Sequence, residues 1–319
     1  MNEPLVSIIM NGRNVSEYVG SAIDSVLSQT YRNWEIVFWD NRSDDGTAEL
    51  VQGCKDQRIR YFLAESFTPL GQARNLAMRQ SRGEFIAFLD CDDLWFPEKL
   101  KLQIPLFDDE KVGLVYSDTI FFNELGHERI LYGRNLPCQG ECFRALLGRY
   151  FLSMETVVVR RSAIEGQSSW FDERFNMIEE ADLFRRISHD WKIAGVPHPL
   201  AKWRVHASSW TFKYPHLLGE ETAVMLEDYR KRYPGFERDF SAEISQLHDA
   251  IELAEAKDAW IRGKKGALVR HFAKGGVSGL IKALLVLCWP ASLAALALRL
   301  RGDVLPSELA RGELTKERK

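Results

Sequence analysis

At 319 residues, with 45% hydrophobic and 27% charged side chains, the chain can hold one large globular domain with appendages and lacks the bias of a disordered or fibrous protein. A formal charge of −3 argues against bulk electrostatic binding, so no nucleic-acid partner is expected. The five cysteines, Cys54, Cys91, Cys138, Cys142 and Cys288, are scattered and contain no C-x-x-C pair; they give no sign of a zinc site or disulfide framework and predict reduced thiols.

The opening MNEPLVSIIM has no basic segment ahead of a long apolar core, so it reads as a strand rather than an export signal, with a cytoplasmic location expected. LVSIIM (5–10) is a short β-branched run ending at the turn-prone NGRN. Ser16 is placed to cap a helix whose apolar residues Val19, Ile23, Val26 and Leu27 share one face. WEIVFW (34–39) predicts a second buried strand, closed by DNRSDDG before a short helix over 47–54. IRYFL (59–63) predicts a third strand, 71–81 a helix, and FIAFLD (85–90) a fourth strand, after which Pro97 opens another helix. Strands alternating with helices imply an α/β fold with a mainly parallel sheet covered on both faces. Ligands bind such sheets at the carboxyl ends of the strands. Polar clusters stand at those ends: 11–14, 40–45 and 90–93.

From VGLVYSD (112–118) onward the alternation loosens. TIFFNE and ETVVVR predict strands of a mixed extension, and IEEADLFRRISHDW predicts a helix whose acidic start suits the helix dipole. WKIAGVP and KWRVHASSW read as an edge strand and a final strand or loop, and helices follow over 216–232 and 239–262. The expected division is an α/β domain over 1–215, with halves 1–118 and 119–215, and a helical region over 216–319.

Between Asp258 and Asp303 the chain has no acidic residue but eight lysines and arginines. Within this stretch 283–298 is almost wholly apolar, but it is shorter than the ~20 residues that span a bilayer, and Pro290 interrupts it. The expectation is that 277–299 lies in a membrane interface, its basic flanks on anionic headgroups. A helix pair packed on the α/β domain and a true span are the alternatives.

The fourth strand runs into FLDCDD. If the chain stays extended there, Asp90 and Asp92 point the same way. Two convergent carboxylates suit a hard divalent cation, Mg2+ or Mn2+, that completes its shell with water and phosphate oxygens. The alternative is a capping cluster on the free N–H groups ahead of the helix at Pro97.

Residues 5–102 contain VSIIMNGRN, SVLSQTY, FWDNRSDDGT, GQARN and FLDCDD in that order, and later come FDERFNMIEEADL and WRVHASS. This series resembles glycosyltransferase family 2, in which VSVIIPTYN, SVLAQTY, VVDDGSTDGT, G-x-x-x-ARN and FLDSDD recur, followed by FDE, EDYDL and YR-x-H-x-x-S. The resemblance covers roughly residues 5–210. It implies a GT-A fold and transfer of a sugar, usually with inversion, from a nucleoside-diphosphate donor to an acceptor hydroxyl. It implies Asp92 as metal ligand, Asp90 beside the donor ribose and Asp93 in support, with His206 as a further ligand or diphosphate contact and Arg204 as an added positive charge. It implies Glu180 as the general base, with Glu179 and Asp182 beside it. Asn11, Arg13, Asp40 and Asn41 are assigned to the nucleotide, Arg13 standing where the family has an aromatic and Asn41 where it has an acid; Arg74 and Asn75 are placed near the donor. The partners implied are a nucleotide-sugar and a glycan or lipid-linked acceptor at the cytoplasmic membrane face. A nucleotidyltransferase and a non-catalytic scaffold on a decayed transferase fold are the competing readings. Nothing in the sequence fixes an oligomeric state.

Overall fold

The computed structural model of the protein describes residues 3–133, 135–209, 214, 216–261, 266–274, 304 and 306. The segment 277–299, expected at a membrane interface, lies outside the described residues, as does Cys288. The chain forms two compact units: one of Met1–Ile120, Ile130–Leu146 and Tyr150–Arg204, the other of Phe121–Arg129, Leu147–Arg149 and Val205–Lys319.

In chain order the elements are β1 (Val6–Gly12), α1 (Val19–Leu27), β2 (Trp34–Asp40), α2 (Thr47–Gly53), β3 (Ile59–Leu63), α3 (Leu70–Arg79), β4 (Phe85–Phe88), β5 (Leu94–Trp95), α4 (Lys99–Gln103), β6 (Val112–Phe122), β7 (Glu128–Ile130), α5 (Phe143–Gly148), β8 (Val158–Arg160), α6 (Arg161–Glu165), α7 (Glu179–Asp190) and β9 (Lys192–Arg204). Four helices follow: α8 (Leu217–Arg232), α9 (Phe236–Asp239), α10 (Ser241–Ile261) and α11 (Gly266–Ala273).

The sheet runs β3-β2-β1-β4-β8-β6-β9-β5. β1, β2, β3 and β4 pair in parallel, whereas β8 is antiparallel to both β4 and β6, and β5 is antiparallel to β9. The apolar run of β1 is continuous because both of its faces are covered. Val6, Ile8 and Met10 pack with Val19, Ile23 and Val26 of α1, while Ile9 packs on the other face with Ala77 and Met78 of α3. Leu183, Phe184 and Ile187 of α7 complete that second core, which fixes α7 beside α3 under the same sheet.

Three details differ from the sequence expectations. Ser16 does not cap α1; the helix begins after Tyr18, and the Ser16 N–H instead donates to Asp45. KIAGVP and KWR form one strand, β9, whose pairing with β5 (Leu94↔Lys202, Trp95↔Ala201) takes it off the sheet edge. Cys138 and Cys142 form a disulfide, which corrects the expectation of reduced thiols for this pair. Gly140, with φ 85°, reverses the chain between them and leaves their Cα atoms 5.9 Å apart, within the range a disulfide bridges.

In the second unit the turn at Gly235, φ 80°, folds α9 back so that Tyr229, Tyr233 and Phe236 form an aromatic cluster. Among the described residues no helix is long and apolar enough to cross a membrane.

Candidate active site

The geometry begins with how closely α3 lies on the segment leading into α7. A Cβ on Gly71 would stand 2.9 Å from the Asp172 carbonyl oxygen, so only glycine permits this approach. Asn75 fastens the two segments: its Nδ2 donates to the Phe171 carbonyl at 2.9 Å and its Oδ1 accepts the Phe171 N–H at 3.0 Å. Asn75 is thereby committed to the protein rather than to a donor. Its neighbour Arg74 is buried, with its guanidinium 5.6 Å from the Phe171 ring centroid, and donates to Asp90 at 2.9 Å and to Glu179. Burial opposes the charge of Arg74, but Asp90, Glu179 and Glu180 outweigh it and hold the guanidinium protonated.

Asp90–Asp93 is a turn, not the extended chain expected: the Asp93 N–H donates back to the Asp90 carbonyl at 3.1 Å. The turn divides the acids. Asp90 is partly exposed and paired with Arg74, and Asp92 is half-buried. Asp93 is 1% exposed, accepts the Arg204 N–H at 2.8 Å, and has its carboxyl driven well above the usual range by burial, then by Asp92, Glu155 and Asp90. It points inward and ties the turn to β9. Arg204 continues that tie, its Nε donating to the Asp92 carbonyl at 2.8 Å and its guanidinium lying 4.7 Å from the Tyr18 ring.

The acids of α7 are equally distinct. Glu179 is buried against Arg74. Glu180 is half-buried, and burial followed by the Glu179 carboxylate raises it well above the ordinary glutamate range. Asp182 pairs with Arg186 one turn on, whose guanidinium also donates to the Ser169 and Trp170 carbonyls. Asp182 thus braces the first turn of α7 against the preceding loop.

At the carboxyl end of β1 Asn11 is half-buried and Arg13 exposed. Asp40 and Asn41 are turned inward, the first 0% and the second 7% exposed. Arg13 lies 5.1 Å from the ring centroid of Phe67, a residue for which the sequence carried only a weak signal, an aromatic in the loop after a strand. His206 is in the second unit, half-buried and hydrogen-bonded to Ser208.

Among the described residues no three or more His, Cys, Asp or Glu side chains gather into a metal cage. A half-buried Asp92 on a turn with Asp90 nonetheless fits Mg2+ or Mn2+, which keep most of their shell as water and substrate phosphate.

The profile of glycosyl transferase family 2 matches residues 7–166. An uncharacterized glycosyltransferase of Rickettsia felis is 30% identical over 269 residues, 81% of this chain and 43% of that protein, so the chain spans under half of this relative's length. The Escherichia coli UDP-Glc:alpha-D-GlcNAc-diphosphoundecaprenol beta-1,3-glucosyltransferase WfgD is 34% identical over 196 residues, 61% of this chain and 74% of that enzyme. Among solved structures, the mannosyltransferase PcManGT of Pyrobaculum calidifontis, in complex with GDP-Man and Mn2+, superposes with a TM-score of 0.62 at 18% identity, over 98% of this chain and 84% of its own. S. aureus TarS 1-349, in complex with UDP-GlcNAc, does so with a TM-score of 0.53 at 16% identity, over 93% of this chain and 92% of its own. At such identities the two structures speak to the fold alone.

Proposed function

The chain belongs to glycosyl transferase family 2 and has the GT-A fold, and from that premise we propose that it moves a sugar, with inversion, from a nucleoside-diphosphate donor to an acceptor hydroxyl in the synthesis of a lipid-linked or surface polysaccharide. The donor class is supported by the nucleotide-sugars bound to PcManGT and TarS, and a lipid-linked acceptor by the diphosphoundecaprenol substrate in the name of WfgD. The observation that carries the reading is Arg74, which joins Asp90 of the acidic turn to Glu179 at the start of α7.

Each group then has one task. Glu180 accepts the proton of the attacking hydroxyl; its raised proton affinity makes its carboxylate a stronger base than that of an ordinary glutamate. Glu179, locked on Arg74, fixes the first turn of α7 and so the aim of Glu180. Arg204 supplies positive charge beside Asp92, where the diphosphate is held. Asp92 would hold Mn2+ or Mg2+, with Asp90 beside the donor ribose, and the ion would supply Lewis acidity toward the diphosphate. The proposed place of action is the cytoplasmic face of the membrane, with 277–299 as the contact.

Thermal melting with UDP, GDP, TDP and CDP, with and without Mn2+, tests the reading, because a ligand that binds only the native state raises its midpoint. A metal-dependent rise with at least one nucleotide supports it. No rise with any of them overturns it.

A further inference from the structure

β3, β2 and β1 lie side by side and parallel, and the middle strand ends in Asp40 and Asn41. Both side chains are committed below the surface. The Asp40 oxygens accept the Ser43 N–H at 2.7 Å and the Tyr61 hydroxyl at 2.7 Å. Asn41 donates its amide to the Thr68 carbonyl at 2.8 Å, and its oxygen accepts the Thr68 N–H at 3.0 Å and hydroxyl at 3.2 Å. Asn41 therefore pins the loop that follows β3, and that loop presents Phe67, 56% exposed. Arg13 follows β1, so the Arg13–Phe67 pair reaches across the end of β2 with Asp40 and Asn41 beneath it.

A single exposed phenylalanine is ordinary on a protein surface. This one is held in place by a buried amide, lies against a cation and stands at the carboxyl edge of three parallel strands, where packing gives no reason for it. A flat, pre-positioned π-surface of this kind takes a planar ring at little ordering cost.

We propose that Phe67, backed by Arg13, is the surface on which the donor's nucleobase stacks, so that the base is recognised by its face and not at its edge by Asp40 or Asn41. The proposal rests on the reading of the chain as a nucleotide-sugar-dependent transferase. Because every nucleobase has a π-face, recognition of this kind tolerates different bases.

Calorimetric titration of the full chain with UDP and with GDP, in Mn2+, tests this. The wild type is expected to bind both within about tenfold of one another, Phe67→Ala to weaken both by about tenfold or more, and Phe67→Tyr to bind as the wild type does. Phe67 is exposed, so Phe67→Ala keeps the fold, which an unchanged melting midpoint verifies. Equal affinity in the wild type and Phe67→Ala overturns the proposal, as does a wild-type preference for one base beyond about a hundredfold. If the wild type binds neither but melts higher with TDP or CDP, the stacking proposal alone is overturned; if none of the four nucleotides binds, the donor reading itself is overturned, an outcome distinct from binding that does not depend on Phe67.

Discussion

Arg74 and Glu179 form an ion pair with side chains 4% and 2% exposed, although the two residues stand 105 positions apart in the chain. A charge so buried is stable only while its partner stays, because the survivor bears the full desolvation cost. The pair therefore fastens α7 to α3, and the second arm of Arg74 extends the same lock to Asp90.

Arg74→Lys tests that lock. An ammonium is a point charge and does not reproduce a planar fork that serves two carboxylates at once. We expect urea unfolding to show a loss of about 1–3 kcal/mol and sugar transfer to fall. Wild-type stability and rate in Arg74→Lys would mean that a single ammonium suffices and that the two-armed lock is not needed.

Glu180→Gln separates the base from its support. Transfer is expected to drop by about 10²–10⁴ in kcat, with the donor KM unchanged, since only proton acceptance is lost. Glu179→Gln should instead lower stability, because Arg74 loses its buried counter-charge. The reverse pattern moves the base to Glu179.

The pH profile follows from the same residue. Glu180 accepts a proton only when ionised, and its folded value lies well above the ordinary 4.5. Transfer should therefore rise with pH along a limb displaced upward from the carboxylate range, and that limb should vanish in Glu180→Gln. A limb centred at 4.5 contradicts the assignment.

Gly71→Ala has an informative sign. In an isolated helix the change stabilises by up to about 1 kcal/mol. Here the new Cβ meets the Asp172 carbonyl oxygen at 2.9 Å, and we expect a net loss of about 1–3 kcal/mol on melting, with slower transfer as α3 and α7 separate.

Lys99 gives a prediction away from the site. It is fully buried, its Nζ donating to Gln103 at 2.6 Å and to the Thr156 carbonyl at 3.2 Å, and burial pushes it down to about 7 from 10.5, with Glu155 opposing. Between those values the unfolded chain binds more protons, so this residue's contribution to stability grows as pH rises through that window. Compared with Lys99→Met, the wild type should gain on the order of a few kcal/mol in urea unfolding between pH 7 and 10. Parallel pH dependence in the two proteins contradicts the depressed value.

How much of this was legible in the sequence depended on range. Strands β1, β2 and β4 were readable because both faces of the sheet are covered there, which makes each a largely apolar run between turns, whereas the half-buried edge strand β3 was readable from its aromatic and β-branched residues. The acids of FLDCDD were readable as residue types, but their unequal burial follows from a turn that a two-residue alternation did not foresee. Asn41 and Asp182 illustrate a different gap: an amide or carboxylate reads the same in sequence whether it meets a ligand or a neighbouring loop, and here Thr68 and Arg186 occupy them. The Arg74–Glu179 pair and the Cys138–Cys142 bridge both depend on where the chain folds back, which their own residues do not encode locally.

The most direct test of the central claim is release of nucleoside diphosphate by the purified chain from a panel of uridine, guanosine, thymidine and cytidine diphosphate sugars, with a diphosphoundecaprenol-linked sugar as acceptor and Mn2+ present. The account predicts acceptor-dependent release from at least one donor, lost on removing the metal and lost in Asp92→Ala while the fold persists. Acceptor-dependent release that survives both changes, or none from any donor by the folded chain, would contradict it.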